Sequence, residues 1–95
     1  MNLHDILANV EKPVSTKSIL KENGTAILMK IKKESLLDKH QSRTNALLVL
    51  LSGKAVYKED GRTIELSKVH DFVNIPEKVS HSVLGIEDSI LLLIH

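Results

Sequence analysis

After Pro13 the chain runs in short stretches of mixed apolar and polar residues, and each stretch ends at turn-forming residues. Seventeen of the 95 residues are Val or Ile, whose branched side chains favour the pleated surface of a sheet. The pattern predicts nine strands, at residues 15–22, 25–32, 36–40, 45–51, 54–59, 62–66, 72–75, 80–85 and 89–95. Many short strands separated by turns indicate an antiparallel sandwich or barrel.

Two of the breaks between strands are predicted to be tight hairpin turns. Residues 22–25 (Glu-Asn-Gly-Thr) and residues 59–62 (Glu-Asp-Gly-Arg) each place a glycine directly after Asn or Asp. Such pairs are typical of two-residue hairpin loops, because both residues tolerate a positive φ. The strands on either side of each turn are therefore expected to pair antiparallel.

The first ten residues follow a helical period instead. The apolar positions of this segment fall on one helix face: Leu3, Ile6, Leu7 and Val10. They predict a short helix over about residues 2–10, with Asn2 as its N-cap and Pro13 beyond its end. A helix of this length is marginal in isolation, so it is expected to dock on the sheet.

Composition and charge exclude several classes of function. The formal net charge is +1, from 13 basic and 12 acidic residues, which gives no electrostatic reason for a nucleic acid or membrane partner. Since there is no cysteine, disulfides, thiolate metal sites and cysteine nucleophiles are excluded. No apolar stretch is long enough to span a membrane, and no segment has the features of a signal peptide. We therefore expect a cytoplasmic protein.

Two predicted strands are apolar along their whole length, at residues 46–51 and 90–94. An antiparallel strand with one face in water should alternate, so both faces of these strands are expected to be buried. One face serves the core, and the simplest cover for the other is a second copy of the chain, which predicts a homodimer. The N-terminal helix is the alternative cover, and that alternative predicts a monomer. The predicted interface consists of Leu47, Val49, Leu51, Ile90, Leu91, Leu92, Leu93 and Ile94.

Two segments carry the residues from which a family resemblance follows. Residues 40–53 and 71–83 resemble the two motifs of the cupin family, G-x5-H-x-H-x3-E-x6-G and G-x5-P-x-G-x2-H-x3-N. The positions that match are His40, Gly53, Pro76 and His81. Three family glycines and the final Asn are replaced by Glu34, His70, Lys78 and Gly85.

The resemblance covers about residues 26–94 and implies an all-β fold. The expected architecture is a single domain over residues 1–95, with a short N-terminal helix over about residues 2–10 and an antiparallel jelly-roll barrel over about residues 14–95.

The resemblance also implies a site, because cupin metal centres use three His and one Glu that point into the barrel. This chain keeps His40 and His81 but has Ser42 and Ala46 at the other two ligand positions. Serine is a poor ligand for a divalent transition metal, alanine has no donor atom, and catalytic zinc sites have about three protein ligands. We therefore expect no cofactor, or at most a weakly bound divalent metal at the two histidines.

Three functions remain open on this sequence. The first is a small-molecule site in the barrel, with two imidazoles at the mouth of a mostly apolar pocket. The second is a metal-dependent enzyme of oxygenase or isomerase type with a non-standard third ligand, and the third is a structural or regulatory dimerisation module with a filled barrel. No role is expected for His4, His70 or His95. The predicted pocket residues are His40, Ser42, Ala46, Leu48, Leu50, His81 and Val83.

Overall fold

The computed structural model describes residues 1–21 and 24–95, and within these residues it contains one helical turn and nine strands. The helix α1 is Leu3–Ile6. The strands are β1 (Val14–Leu20), β2 (Ala26–Ile31), β3 (Leu36–His40), β4 (Ala46–Ser52), β5 (Ala55–Glu59), β6 (Arg62–Leu66), β7 (Phe72–Ile75), β8 (His81–Gly85) and β9 (Ser89–Ile94). The nine predicted strands are confirmed, and their ends agree within two residues.

The strands form two antiparallel sheets that enclose the core. The five-stranded sheet has the order β1-β2-β9-β4-β7, and the four-stranded sheet has the order β3-β8-β5-β6. Fully buried residues from both sheets meet between them, for example Leu50 and Leu91 from the first and Tyr57 and Val83 from the second. The predicted fold class, an antiparallel jelly-roll barrel with a short N-terminal helix, is confirmed.

The two apolar strands, β4 and β9, are neighbours in the centre of the five-stranded sheet. Cross-strand partners share a face, and Leu50 opposite Leu91 lies in the core, whereas Val49 opposite Leu92 lies on the outer face. The predicted interface must therefore lose Leu91, which is fully buried, and Leu93, which packs against the core. Of the remaining six residues, Leu51 lies at the bulge near the end of β4. The other five lie on the outer face: Leu47, Val49, Ile90, Leu92 and Ile94.

The N-terminal helix is shorter than predicted, because it ends at Ile6 and residues 7–9 form turns. Lys30 on β2 explains the early end: its Nζ donates to the carbonyl oxygens of Leu7, at 3.1 Å, and Val10, at 2.9 Å. The segment docks on the sheet through Leu7, which is buried. Ile6 stays exposed, so the segment covers only one part of the outer face.

The two predicted hairpin turns have different outcomes. The turn at 22–25 includes residues 22 and 23, which lie outside the described residues. The turn at 59–62 is confirmed, because β5 and β6 pair in register on either side of it and Gly61 has a φ of 80°.

Three non-glycine residues among those described have a positive φ, and they stand where the cupin motifs have glycine: Glu34 at 66°, His70 at 81° and Lys78 at 62°. Each donates its backbone N–H to a segment far away in the sequence, to the carbonyl oxygens of Gly85, Leu50 and Ser42 respectively. The left-handed conformation directs these N–H groups towards their acceptors. The backbone therefore has a geometry that favours glycine, although residues other than glycine stand at these motif positions.

Among the described residues, no helix has the length and apolar character needed to cross a membrane.

Candidate functional site

A row of four polar residues crosses the inner face of the four-stranded sheet at the beginning of β8. His40 on β3 pairs with His81 on β8, His81 pairs with Glu59 on β5, and Glu59 pairs with Arg62 on β6. Directly opposed residues point to the same face, and the next row inward contains the core residues Tyr57 and Val83. The polar row therefore lies at the mouth of the barrel.

The two histidines are in direct contact. Their ring centroids are 4.0 Å apart with the planes at 62°, and His81 is 3% exposed while His40 is exposed. His81 Nδ1 lies 3.1 Å from the carbonyl oxygen of Val79, and His40 Nδ1 lies 3.0 Å from that of Asp38. A carbonyl oxygen only accepts, so both Nδ1 atoms carry a proton, and in the neutral form of either ring the free lone pair is on Nε2.

Burial is the main reason why the pKa of His81 lies below its ordinary value of 6.5, and the neighbouring His40 lowers it further. The Val79 carbonyl and the Glu59 carboxylate act in the opposite direction, without reversing the shift. His81 is thus neutral at neutral pH in the protein alone.

A cavity of about 250 Å³ opens at this mouth. His95 also lines this cavity. Its backbone N–H and carbonyl both hydrogen-bond with Thr25, so the pairing of β2 with β9 continues for one more residue. Residue 95 therefore lies on the same face of β9 as Leu93, which points inward. Three histidines, an arginine and a small apolar floor therefore share one cavity. Its lining residues are His40, Gln41, Ser42, Arg43, Ala46, Ile75, His81, Leu93 and His95.

The predicted pocket residues divide between the cavity and the core. His40, Ser42, Ala46 and His81 line the cavity. Leu48, Leu50 and Val83 do not, because each is at most 1% exposed and packs in the core cluster. The interior below the mouth is thus filled by side chains, and the cavity is shallow.

A second polar group at the mouth is formed by Tyr57, Glu59 and Arg62. The Tyr57 hydroxyl and Arg62 Nη2 both donate to Glu59 Oε2, the latter at 3.0 Å, and Arg62 Nε lies 2.9 Å from Glu59 Oε1. Arg62 Nη2 also donates to the carbonyl oxygen of Asn74, at 2.6 Å, and so joins β6 of one sheet to β7 of the other. Both oxygens of Glu59 are therefore engaged within this group.

The pKa values of this group follow from those contacts. Arg62 and then Tyr57 hydrogen-bond the Glu59 carboxylate and hold its pKa below its ordinary value, and Glu59 in turn raises the pKa of Arg62. Burial, followed by the hydrogen bond to Glu59, raises the pKa of Tyr57 to about 12. The resting state is an ion pair with a neutral tyrosine.

Solved structures share this fold. A cupin-2 domain protein from Shewanella frigidimarina matches with a TM-score of 0.82 over 100% of this chain and 92% of its own, at 18% identity. The chain has the cupin fold. A cupin superfamily protein from Desulfitobacterium hafniense has a TM-score of 0.80 over 88% of this chain and 77% of its own, at 20% identity.

Another cupin-fold match is KdgF from a Halomonas species, with a TM-score of 0.77 over 90% of this chain and 82% of its own, at 19% identity. No protein-family model and no curated protein matches the sequence. Identities of this size establish the cupin fold and carry no ligand or reaction to this chain.

The metal centre that cupins suggest does not fit the residues present. Ala46 has no donor atom, and the Ser42 hydroxyl donates to the carbonyl oxygen of Thr44, at 2.6 Å. No group of three or more His, Cys, Asp or Glu residues in the described part of the chain could hold a metal ion. Because Glu59 is paired with Arg62, it does not supply the missing carboxylate. The prediction of no cofactor, or only a weak metal, stays a prediction.

Sequence reasoning missed His95, Arg43 and the group of Tyr57, Glu59 and Arg62. The sequence did contain a signal for the pair of Glu59 and Arg62, because the predicted hairpin at 59–62 places these two residues opposite each other. The alternation of β9 also puts residue 95 in phase with Leu91 and Leu93.

Proposed function

We propose that this cupin-fold protein binds a small organic carboxylate at the mouth of its barrel. The observation that carries the proposal is the composition of the cavity, in which three histidines and Arg43 meet and none of the described lining residues is acidic. The arginine attracts an anion, and an imidazole that takes up a proton when the anion binds becomes a charged donor to it.

The shape of the cavity narrows the ligand class. Opposite His40 and His81, on the five-stranded sheet, lie Ala46, Ile75 and Leu93, an apolar floor suited to a short hydrocarbon chain. The volume of about 250 Å³ is below the ~300–1,000 Å³ that is usual for drug-sized ligands. A carboxylate head against the imidazoles, with a few carbon atoms on the floor, fits both properties.

The protonation state of His81 gives the proposed binding a characteristic pH dependence. The buried ring is neutral in the free protein, because its pKa is lowered. A bound carboxylate stabilises the charged ring and raises that pKa, so binding takes up a proton. Affinity is therefore expected to increase as the pH falls through the ordinary histidine range.

The test is calorimetric titration with butyrate, the uncharged butyramide and inorganic phosphate. Butyrate should bind, butyramide should not, and phosphate should bind more weakly because it lacks the chain. His81→Gln should weaken butyrate binding roughly tenfold, which corresponds to the loss of about 1.4 kcal/mol. Ala46→Leu, which fills the floor, should abolish binding.

The matched control is His4→Gln, since His4 is exposed and lies outside the cavity. It should leave the butyrate affinity unchanged. Equal binding of butyrate and butyramide, or equal effects of His81→Gln and His4→Gln, would contradict the proposal.

The enzyme alternative has less support, because a third metal ligand is missing among the described residues.

A further inference from the structure

The two contacting histidines each present one ring nitrogen to the mouth of the barrel. The Nδ1 of His81 donates to the carbonyl oxygen of Val79, and that of His40 donates to the carbonyl oxygen of Asp38. Both histidines line the cavity, and neither Nε2 bonds to any residue that the structure describes. Because the backbone already occupies Nδ1, Nε2 is the atom that each ring offers to a ligand.

The two rings take different roles when a carboxylate binds. The carboxylate stabilises the charged form of the buried His81, whose Nε2 then carries a proton and donates to it. A second positive charge on His40 would lie in direct contact with the first, because the ring centroids are 4.0 Å apart. Glu59 does not offset that charge, since its two oxygens are engaged by Arg62 and Tyr57. The complex therefore favours the neutral form of His40, in which Nε2 is a hydrogen-bond acceptor.

An acceptor next to the carboxylate requires a donor on the ligand. A carboxylate alone has only acceptor oxygens, so beside it His40 Nε2 is left without a partner. A hydroxyl group on the carbon next to the carboxylate supplies the missing donor. That hydroxyl lies within hydrogen-bond distance of its own carboxylate, a spacing that suits two rings in direct contact. The arrangement of the rings thus favours a 2-hydroxy acid over the unsubstituted acid.

The other groups around the cavity agree with this ligand. None of the described lining residues is acidic, so no carboxylate of the protein competes with His40 for the hydroxyl of the ligand. The Ser42 hydroxyl does not supply the donor instead, because it donates to the carbonyl oxygen of Thr44, at 2.6 Å. The apolar floor takes the hydrocarbon chain, and the cavity volume of about 250 Å³ limits that chain to a few carbon atoms.

We propose that the ligand of the mouth cavity is a short 2-hydroxy carboxylate, whose carboxylate accepts from His81 and whose hydroxyl donates to His40. The hydroxyl preference rests on the proposed carboxylate binding and names the chemical class within it. His40 is then the residue that selects the hydroxyl, whereas His81 and Arg43 serve every small carboxylate alike.

The first experiment is calorimetric titration of the wild-type protein with butyrate, the two enantiomers of 2-hydroxybutyrate, and 2-oxobutyrate. The better enantiomer of 2-hydroxybutyrate should bind roughly fivefold more tightly than butyrate, which is the gain expected from one hydrogen bond. 2-Oxobutyrate has the same chain but carries an acceptor in place of the donor, so it should gain nothing over butyrate.

The second experiment repeats these titrations with His40→Phe, which keeps an aromatic ring beside His81 and removes the acceptor. The ratio of the dissociation constants for butyrate and 2-hydroxybutyrate should fall from about five to about one, whatever the affinity for butyrate itself. Since His40 is exposed at the end of β3, the variant should fold. The matched control is His4→Phe, at an exposed residue outside the cavity, and it should keep the wild-type ratio.

Three results would overturn the hydroxyl preference while the carboxylate site stands. The first is binding of butyrate with no tighter binding of either 2-hydroxybutyrate enantiomer. The second is binding of 2-oxobutyrate as tight as that of 2-hydroxybutyrate, since the ligand would then meet a donor. The third is an unchanged ratio in His40→Phe, since the hydroxyl would then bind elsewhere. Binding of none of the three acids is a different failure, because it refutes the proposed carboxylate site and the preference together.

Discussion

Replacement of the three left-handed residues by glycine should stabilise the protein. Glu34, His70 and Lys78 have φ angles of 66°, 81° and 62°, in the region that disfavours any residue with a Cβ atom. All three side chains are exposed and make no hydrogen bond or ion pair with the residues that the structure describes, and glycine keeps the backbone N–H donors. The substitution therefore removes backbone strain and loses no tertiary contact.

The magnitude follows from two opposing contributions. The left-handed conformation costs a non-glycine residue roughly 1–2 kcal/mol, and the greater freedom of glycine in the unfolded chain takes back roughly 0.5–1 kcal/mol. The net gain is roughly 0.5–1 kcal/mol per site. The three sites lie in separate turns and share no partner, so their gains should add to about 1.5–3 kcal/mol. For a domain of this size that raises Tm by at least about 6 °C.

The assay is urea and thermal unfolding of the triple variant and of each single variant. The matched control is Lys68→Gly, at an exposed turn residue that lacks a positive φ, and it should be destabilised by roughly 0.5–1 kcal/mol. An unchanged or lowered midpoint in the triple variant, or single variants that behave like Lys68→Gly, would refute the reasoning.

Three further predictions concern the barrel mouth. Tyr57 is the only tyrosine and there is no tryptophan, so its ionisation can be followed by tyrosinate absorbance. The midpoint should lie near pH 12 in the folded protein and near pH ~10 in denaturant. A folded-state midpoint near pH ~10 would contradict the described hydrogen bond. His81 takes up a proton below pH 6.5 in the unfolded chain, whereas the folded ring has a lowered pKa and stays neutral. The free energy of unfolding should therefore fall on acidification, by up to ~1.4 kcal/mol per pH unit. In urea unfolding, the dependence of this free energy on pH should be flatter for His81→Gln than for His4→Gln. Elemental analysis of the wild-type protein should find less than one equivalent of metal. The double variant Ser42→His with Ala46→Glu should gain thermal stability when zinc is added, because a ligand that binds only the folded state stabilises it. No shift of its melting temperature with zinc would mean that residues 40, 42, 46 and 81 do not converge.

The strands could be predicted from the sequence because the information that sets them is local. Val and Ile favour strands, and Gly61 permits the turn between β5 and β6 whatever the rest of the chain does. The N-terminal helix could not be predicted with the same success. Lys30, which lies 20 residues beyond Val10, binds the carbonyl oxygens at the end of the segment. The apolar period of residues 3–10 carries no information about a contact with so distant a residue.

The site could be predicted only in part, because its residues come together through register rather than spacing. Alternation from Ala46 correctly places Leu48 and Leu50 inside the barrel, yet it does not tell how deep the cavity reaches. In residues 90–94 every position is apolar, so the phase of β9 is fixed only by its pairing, in which Leu91 opposes Met29 and Leu50. The same pairing brings His95 to the mouth, where sequence reasoning expected no role for it.

The pairing of Glu59 decides which sign of charge the mouth can accept. A free carboxylate opposite His81 would neutralise a protonated imidazole or add a ligand for a cation. Instead Arg62 and Tyr57 occupy both of its oxygens, and the bond from Arg62 to the Asn74 carbonyl fixes this arrangement between the two sheets. To turn Glu59 towards the histidines would leave a half-buried guanidinium without its partner, which is costly. The polar row therefore presents imidazoles with no free carboxylate beside them, and a bound anion would stabilise the protonated form of His81, which is neutral in the protein alone.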